Sequence, residues 1–445
     1  MKKIIISGTS SGCGKTTITC AVMKAILNKG LKLSSFKCGP DYIDPMFHEK
    51  VVGTSAHNLD SFFCDENIIK YLLCENSKNS DISVIEGVMG FYDGGNASAC
   101  EISEITQTSV ILIVNCKGMS DSIGAVMKGF LTYRPNRIIG FIFNNLPEKL
   151  ENSVKNLCRE LNVEYFGFMP KNNFTIESRH LGLVPADEID NLRLKIEEIA
   201  KLAEKYMDIQ KIIDFSESTA PDFKFPKIKR FEQNPLIAVT KDKAFCFHYS
   251  DNIALLEKYG CRIEYFSPLN DNRLPENVCG LILNGGYPEL HAKELSENTE
   301  MKSSIRHAVN CGLPTIAECG GFMYLHDFME SDSGKTYSMA GVINGTSYKT
   351  DRLKRFGYAH VTTEKDSMIF KKPDNIAVHE FHYWDSTNCG SDLTATKADG
   401  RSWTCCHCSD TMYAGFPHLY FYSNLSIPER FINACIKYGE ANEQN

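Results

Sequence analysis

The chain has 445 residues, of which 43% are hydrophobic and 23% are charged, and its formal net charge is −7. This length exceeds one ordinary hydrophobic core, so it indicates two or three domains of ordinary globular composition. The net charge gives no sign of a nucleic-acid surface, and no apolar run approaches the ~20 residues that a membrane-spanning helix needs. Because the N-terminus reads as a strand and lacks the pattern of a signal peptide, we expect a cytoplasmic protein.

The glycine-rich segment Gly8–Thr17 follows the apolar run 4–6 and leads into a helix-like stretch. In that context a glycine-rich turn binds phosphate through backbone N–H groups and the positive end of the helix. Lys15 would reach the β- and γ-phosphates, and the Thr16 hydroxyl would ligate Mg²⁺. The first glycine is Gly8, one residue earlier than in the usual pattern. We expect the nucleotide to be bound by Gly12, Gly14, Lys15, Thr16 and Thr17.

Apolar runs in the first half of the chain end at polar residues, which is typical of parallel strands whose carboxyl ends carry a site. Glu86 follows the run 82–85, Asp41 and Asp44 lie in a segment with two prolines, and Asp93 lies in a glycine-rich segment. Carboxylate and hydroxyl oxygens are ligands that Mg²⁺ prefers. The pattern therefore predicts a magnesium site that uses Thr16, Glu86 and Asp41, although each acid could instead cap a turn.

The domain boundary is predicted from a loss of periodicity. A helix is predicted over 187–207, and residues 216–235 are rich in Pro, Lys, Ser and Asp without a clear period. We expect a first domain over 1–212, a linker over 213–235 and a second α/β domain over 236–445. After Gly341 the abundance of Thr and aromatic residues predicts β-structure to near the end of the chain.

Cys319 lies at the end of an apolar run and is followed by two glycines and a helix-like stretch. A strand–nucleophile–helix turn of this kind exposes a thiol near a helix N-terminus, which favours the thiolate. The backbone N–H groups of Gly320 and Gly286 could stabilise an oxyanion, and the distant His418 is the expected base. The other cysteines of the total of 18 are expected to be reduced thiols. Adjacent ligands in the segment 405–408 cannot all face one tetrahedral ion, so zinc is not predicted there and the role of this cluster is open.

Four segments together resemble the cobyrinic acid a,c-diamide synthases, in order and along essentially the whole chain. They are Gly39–Pro45, Glu86–Gly94, Asn284–Glu289 and Ala317–Gly321. The resemblance implies an α/β protein with an N-terminal P-loop domain like that of dethiobiotin synthetase and a C-terminal class I glutamine amidotransferase domain. It also implies that ATP, Mg²⁺ and glutamine are used to amidate two carboxylates of a corrin ring through carboxyl phosphates, with small molecules as partners and neither nucleic acid nor membrane.

The resemblance also assigns roles to single residues. Lys15, Thr16 and Glu86 match nucleotide and Mg²⁺ positions; the acids that match positions for handling substrate and phosphoryl groups are Asp41, Asp44 and Asp93. Cys319 would attack glutamine with the help of His418. Typical class I glutaminases carry a glutamate two residues after the histidine, where this chain has Tyr420, and a Cys–His pair without that acid is what the cobyrinate-type branch shows. His382 also matches a family segment and is the rival base.

Two other functions stay open at this stage. The first is the same chemistry on another tetrapyrrole, by a Ni-sirohydrochlorin a,c-diamide synthase. The second is a regulatory P-loop ATPase whose second domain only senses glutamine, a function that the intact set of Cys319, His418, Lys15 and Glu86 disfavours. The sequence also leaves open the order of amidation, the route of ammonia and the oligomeric state, of which a homodimer is one candidate.

Overall fold

A computed structural model describes residues 2–171, 178–179, 182–183 and 191–443. The chain divides into two compact units, Met1–Pro226 and Lys227–Asn445, and the division falls inside the segment predicted as the linker. The first part of that segment packs on the first unit, where Phe223 and Phe225 contact the ring of Tyr71. Of the predicted helix 187–207, residues 187–190 lie outside the described residues.

The strands of the first unit are β1 (Lys2–Gly8), β2 (Leu33–Cys38), β3 (His57–Leu59), β4 (Ile82–Glu86), β5 (Val110–Asn115), β6 (Ile138–Asn144), β7 (Glu164–Met169), β8 (Ser178–Arg179) and β9 (Gly182–Leu183). Its helices are α1 (Lys15–Asn28), α2 (Ile43–Val52), α3 (Glu66–Asn76), α4 (Ala99–Thr106), α5 (Ser122–Thr132), α6 (Glu151–Glu160), α7 (Leu192–Tyr206) and α8 (Ile209–Asp214).

The first unit is built on a seven-stranded sheet in the order β3-β2-β4-β1-β5-β6-β7, and every pairing in it is parallel. The central strands are apolar and buried, as expected of strands covered on both faces. Strand β1 lies between β4 and β5, so the strand order reverses beside it. Ligands bind at such a switch point, outside the carboxyl ends of the strands, and the loop Gly8–Thr17 leaves β1 there.

The strands of the second unit are β10 (Leu236–Thr240), β11 (Arg262–Phe266), β12 (Gly280–Leu283), β13 (Thr315–Glu318), β14 (His326–Glu330), β15 (Thr336–Ser338), β16 (Ile343–Thr363), β17 (Asn375–Ser386), β18 (Leu393–Thr396), β19 (Ser402–Cys405), β20 (His407–Cys408), β21 (Met412–Gly415) and β22 (His418–Leu419). Its helices are α9 (Ser250–Lys258), α10 (Ala292–Glu297), α11 (Thr299–Asn310), α12 (Gly320–Leu325) and α13 (Ser426–Glu443).

Two sheets form the second unit. The first has the order β11-β10-β12-β13-β21-β20 and is parallel except for its edge strand β20. The second has the order β15-β14-β16-β17-β22, with β18 and β19 attached through β16. The α/β class predicted from the sequence is confirmed in both units.

The prediction of β-structure to near the end of the chain was wrong for the last segment, which forms the helix α13. Its buried hydrophobic residues recur at helical spacing, and they are Ile427, Phe431, Ile432 and Cys435. The 18 cysteines are all free thiols. Within the described ranges, no helix is long and apolar enough to cross a membrane, and no group of three or more His, Cys, Asp or Glu side chains is arranged to hold a metal ion.

Candidate active sites

The phosphate loop connects β1 to α1 as the sequence predicts. Helix α1 begins at Lys15, directly after Gly14 in a left-handed conformation (φ 96°), and it has neither a side-chain cap nor an acid in its first turn. Thr16 and Thr17 lie in this first turn. The Lys15 Nζ donates to the Ser10 carbonyl at 3.0 Å, and burial lowers the pKa of Lys15. An uncapped helix start behind a glycine-rich loop is suited to bind an anion.

The early glycine of the loop has a steric reason. A Cβ atom on Gly8 would lie 2.1 Å from the Cys13 Sγ, so any side chain there would displace the loop. A Cβ on Gly14 would lie 2.2 Å from the Asn144 Nδ2, and this amide donates to the Cys13 carbonyl at 2.8 Å. The loop is therefore packed around Cys13. Glycine is needed at position 8, which approaches the Cys13 side chain, and at position 14, which approaches the Asn144 side chain.

A buried network of charges lies beside the first turn of α1. The Thr16 hydroxyl lies 2.8 Å from the Glu86 Oε1 and 3.0 Å from the Asp44 Oδ1. The Lys37 Nζ donates to the Glu86 Oε1 at 3.0 Å and also contacts the Asp44 carboxylate. The His48 Nε2 lies 2.6 Å from the other oxygen of Glu86. The structure thus brings together three residues predicted for the site, Thr16, Asp44 and Glu86. It adds two residues that were not predicted, Lys37 and His48.

Sequence reasoning missed Lys37 and His48. Lys37 faces Glu86 in the register of β2 and β4, and the signal for it was a lysine inside an otherwise uncharged, buried strand. Burial alone would lower the pKa of Lys37, but the carboxylates of Asp44 and Glu86 outweigh burial and raise it. Burial likewise opposes ionisation of Glu86, yet Lys37 and His48 hold its pKa well below the ordinary value. The network therefore holds ionised groups away from water.

The other two predicted acids, Asp41 and Asp93, make different contacts. The Asp41 carboxylate accepts from the Ile43 N–H at 2.8 Å, and burial together with the charge of Asp44 raises its pKa to about 7. Asp93 accepts from the Gly90 N–H at 2.9 Å and so caps the turn after β4. The N–H of Phe91 in that turn donates to the Gly8 carbonyl at 2.8 Å, which ties the turn to the phosphate loop.

The donor set of the network fits Mg²⁺, because a hydroxyl and carboxylates are hard oxygen ligands and Mg²⁺ takes few ligands from protein when phosphates supply the rest. Thr16 and Glu86 are already in contact, and Asp44 contacts the same hydroxyl. Asp41, the third predicted ligand, lies next to Asp44, whose charge helps to raise the pKa of Asp41. The assignment of Thr16, Glu86 and Asp41 as metal ligands stays a prediction.

In the second unit, Cys319 connects β13 to α12 in a strained conformation (φ 46°, ψ −102°). A non-glycine residue rarely adopts such a backbone, and strain of this kind concentrates at functional sites. Burial and the nearby charge of Glu289 raise the pKa of the Cys319 thiol, while a hydrogen bond from the Gly320 N–H acts in the opposite direction. The sequence predicted an exposed thiol that favours the thiolate, and this prediction was wrong: Cys319 is buried and burial raises the pKa of its thiol, so a base is needed to take the proton.

Glycines bring the groups predicted for glutamine hydrolysis close together. A Cβ on Gly285 would lie 2.8 Å from the His418 Cε1 and 3.6 Å from the Cys319 Cβ, so nucleophile and histidine border the same small space. A Cβ on Gly320 would lie 3.0 Å from the Gly286 nitrogen, which places the two predicted oxyanion donors side by side. The geometry has the parts of a thiol nucleophile, a base and an oxyanion site.

The structure supplies an acid for His418 from an unexpected position. The Glu318 Oε2 lies 3.3 Å from the His418 Nδ1, and its other oxygen accepts from the Leu419 N–H at 3.0 Å. Tyr420, which stands where typical class I glutaminases carry glutamate, donates instead to Asp251 at 3.0 Å. Sequence reasoning missed Glu318, although its position directly before the nucleophile was visible.

The rival base His382 is engaged elsewhere. Its Nδ1 lies 2.5 Å from the Trp384 carbonyl, and its Nε2 lies 2.9 Å from the Glu380 carboxylate. Both ring nitrogens of His382 therefore already have partners that can accept a hydrogen bond. The ring also stacks on Phe416 with centroids 3.9 Å apart. This arrangement favours His418 over His382 as the base.

Comparisons with known proteins match two segments of the chain to two different domain families. Residues 4–184 match the CobQ/CobB/MinD/ParA nucleotide binding domain, and residues 236–425 match the CobB/CobQ-like glutamine amidotransferase domain. The two matched segments contain the phosphate loop and the Cys319 site, respectively.

Curated relatives extend the match to nearly the whole chain. The cobyrinate a,c-diamide synthase of Clostridium acetobutylicum is 36% identical over 97% of this chain and 100% of its own length. The cobyrinate a,c-diamide synthase of Caldanaerobacter subterraneus subsp. tengcongensis is 36% identical over 98% of this chain and 98% of its own length. That of Fusobacterium nucleatum subsp. nucleatum is 38% identical over 96% of this chain and 99% of its own length. The chain therefore belongs to the cobyrinate a,c-diamide synthase family of glutamine-dependent amidotransferases.

Proposed function

We propose that this protein converts cobyrinate to cobyrinate a,c-diamide, with glutamine as the nitrogen donor and ATP as the source of a carboxyl phosphate. The observation that carries the proposal is that one chain holds both a phosphate loop with a buried acid–lysine network and a Cys–His site. Relatives named for this reaction match both regions over nearly their full length. We further propose that the enzyme acts in the cytoplasm.

In the amidotransferase unit, the Cys319 sulfur would attack the side-chain amide carbon of glutamine while His418 takes the thiol proton. The Gly286 and Gly320 N–H groups would donate to the oxyanion that develops on the amide oxygen. Ammonia leaves after it receives the proton from His418, and water then hydrolyses the thioester to glutamate. Because burial raises the pKa of the Cys319 thiol, the first step would depend on a base that takes the thiol proton.

In the nucleotide unit, an oxygen of the substrate carboxylate would attack the γ-phosphorus of ATP and release ADP. Lys15 and the first turn of α1, with Gly12, Gly14 and Thr17 shaping the loop, would bind the phosphates. Ammonia would then attack the carboxyl phosphate and release inorganic phosphate. Asp41, Asp44 and Asp93 are proposed to orient the substrate and the phosphoryl group.

Thr16, Glu86 and Asp41 are the residues proposed to hold Mg²⁺, with Asp44 beside them. When bound, the ion would neutralise charge on the phosphate oxygens. Lys37 contributes a positive charge at the same place through its contacts with Glu86 and Asp44. Because these side chains are already held in place by their mutual contacts, they could bind the ion and the phosphate oxygens with little rearrangement.

The shared name of the relatives favours cobyrinate over Ni-sirohydrochlorin as the substrate. A purely regulatory ATPase would have no need for a Cys–His site, and the close approach of Cys319 and His418 around Gly285 argues against that function.

Oxygen transfer tests the proposed intermediate. Cobyrinate labelled with ¹⁸O in its carboxylates is incubated with the protein, ATP, Mg²⁺ and glutamine, and the inorganic phosphate is analysed by mass spectrometry. We expect one ¹⁸O atom in phosphate for each amide formed, because the carboxylate oxygen attacks phosphorus and leaves with it. Amide formation with unlabelled phosphate would rule out the carboxyl phosphate.

A further inference from the structure

We propose that Glu318 is the carboxylate that orients His418 for glutamine hydrolysis and so completes a Cys319–His418–Glu318 triad. This inference rests on the glutaminase half of the proposed function and deepens it. Glu318 acts through the histidine and is therefore a positioning residue. In this triad the acid comes from the residue directly before the nucleophile, whereas typical class I glutaminases supply it from two positions after the histidine.

Both carboxylate oxygens of Glu318 contact the segment of chain that contains His418. One oxygen lies 3.3 Å from the His418 Nδ1, and the other accepts from the Leu419 N–H at 3.0 Å. The pairing of β13 with β21 holds Glu318 opposite Gly415, three residues before His418. The strand end therefore fixes the nucleophile and its acid together, on consecutive residues.

The pair is shielded from water. The side chain of His418 is 2% exposed and that of Glu318 is 12% exposed. A hydrogen bond to an ionised group is stronger where little water competes, so a carboxylate at this place strongly biases the tautomer of the ring. Other carboxylates nearby have different partners: Glu380 contacts His382 and Trp403, and Asp251 accepts from Tyr420.

The chemical consequence follows from the tautomer. When Nδ1–H donates to Glu318, the lone pair of His418 is on Nε2 and can accept the thiol proton of Cys319 as the S–C bond to glutamine forms. The imidazolium then returns this proton to the leaving ammonia as the C–N bond breaks. Glu318 stays ionised throughout and stabilises the imidazolium, which is the role of the acid in known triads.

The variant Glu318→Gln separates this role from packing because the Leu419 N–H dictates how the amide is placed. The amide oxygen would accept from Leu419, which turns the amide NH₂ toward the His418 Nδ1. An NH₂ at that place favours the tautomer whose proton is on Nε2, and this tautomer cannot accept the thiol proton. The matching Asp→Asn change in a serine-protease triad lowers kcat about 10⁴-fold for this reason.

The test measures glutamine hydrolysis and ammonia-dependent amidation of cobyrinate by the full-length protein. For Glu318→Gln we expect kcat for glutamine hydrolysis to fall ~10²- to 10⁴-fold with KM changed less than ~3-fold, while ammonia-dependent amidation stays within ~3-fold of wild type. Glu318→Asp keeps a carboxylate, so its kcat for glutamine hydrolysis should be at least about tenfold higher than that of Glu318→Gln. The matched control Glu380→Gln, which alters the neighbouring His382–carboxylate pair, should retain kcat within ~5-fold.

Three results would overturn the inference. The first is glutamine hydrolysis by Glu318→Gln within ~3-fold of wild type, and the second is a loss of glutamine hydrolysis in Glu380→Gln as large as that in Glu318→Gln. The third is an equal loss of ammonia-dependent amidation in Glu318→Gln together with a lowered melting temperature. Alkylation of Cys319 by 6-diazo-5-oxo-norleucine, followed by mass spectrometry, gives a readout that needs no tetrapyrrole, and its rate should fall with Glu318→Gln. If the wild type hydrolyses glutamine without amidating cobyrinate, the proposed substrate fails while the comparison of variants still decides the role of Glu318.

Discussion

Lys37 and Glu86 face each other on neighbouring strands with 3.0 Å between Nζ and Oε1, and their side chains are 2% and 0% exposed. The same lysine contacts Asp44, and Glu86 also contacts His48 and Thr16. Ions removed from water in this way are costly unless each has a partner, so the network is stable only as a complete set. It also ties the start of α1 to two strand ends beside the proposed phosphate site.

Replacing Lys37 with methionine should therefore impair both folding and synthesis. We expect Lys37→Met to lower the free energy of unfolding by about 3–5 kcal/mol, because two buried carboxylates lose their cation. Amidation should be lost with either glutamine or ammonia, while glutamine hydrolysis survives. The matched control Lys24→Met breaks the more exposed pair with Glu197, where a loss of at most about 1 kcal/mol is expected. Urea denaturation gives the stabilities, and equal losses in the two variants would contradict the importance of the network.

Removal of the nucleophile should separate the two half-reactions. Cys319→Ala is expected to abolish glutamine-dependent amidation and to leave ammonia-dependent amidation within ~3-fold of wild type, because the thiol is needed only to release ammonia. The control Cys435→Ala removes a thiol buried in α13 and should keep both activities. Loss of the ammonia-dependent reaction in Cys319→Ala at unchanged melting temperature would refute the assignment of two sites.

The space between nucleophile and base can be tested without altering either side chain. Gly285→Ala places a methyl group 2.8 Å from the His418 Cε1, closer than carbon atoms pack, so the ring must move. We expect kcat for glutamine hydrolysis to fall at least ~10-fold. In the control Gly129→Ala the new methyl group meets nothing within 4 Å, and the change should be neutral or stabilise α5 by about 0.5–1 kcal/mol. Unchanged hydrolysis by Gly285→Ala would show that His418 is not the base at this place.

Buried neutral histidines predict acid sensitivity of the second unit. Burial lowers the pKa of His326 from 6.5 to about 4, and the folded ring contacts the Phe322 carbonyl and the Ser386 hydroxyl. As the pH falls from 6.5 toward 4, the unfolded chain takes up a proton that the folded chain does not, so the free energy of unfolding decreases by up to about 3 kcal/mol. His326→Gln lacks this titration and should show a flatter pH dependence in urea denaturation over this window. Identical pH slopes for variant and wild type would contradict the buried, neutral state of His326.

Features encoded in contiguous residues could be predicted from the sequence. The phosphate loop and the turn at Cys319 each combine a strand end, small residues and a helix start within a few positions, so local pattern sufficed. The contacts of Lys37 with Glu86 and of Glu318 with His418 depend on strand register and on residues 49 and 100 positions apart, which no local pattern fixes. The prediction for α13 was wrong because the Thr- and aromatic-rich composition before it favours strands, whereas the apolar residues of α13 itself recur at helical spacing.

The most direct test of the central claim is the mass of the tetrapyrrole product. The protein is incubated with ATP, Mg²⁺, glutamine labelled with ¹⁵N in its amide, and either cobyrinate or Ni-sirohydrochlorin. We predict that cobyrinate gains two labelled amides, at the a and c carboxylates, with one ADP released for each. Cobyrinate that stays unchanged while Ni-sirohydrochlorin is diamidated, or amides that form without consumption of ATP, would contradict the account.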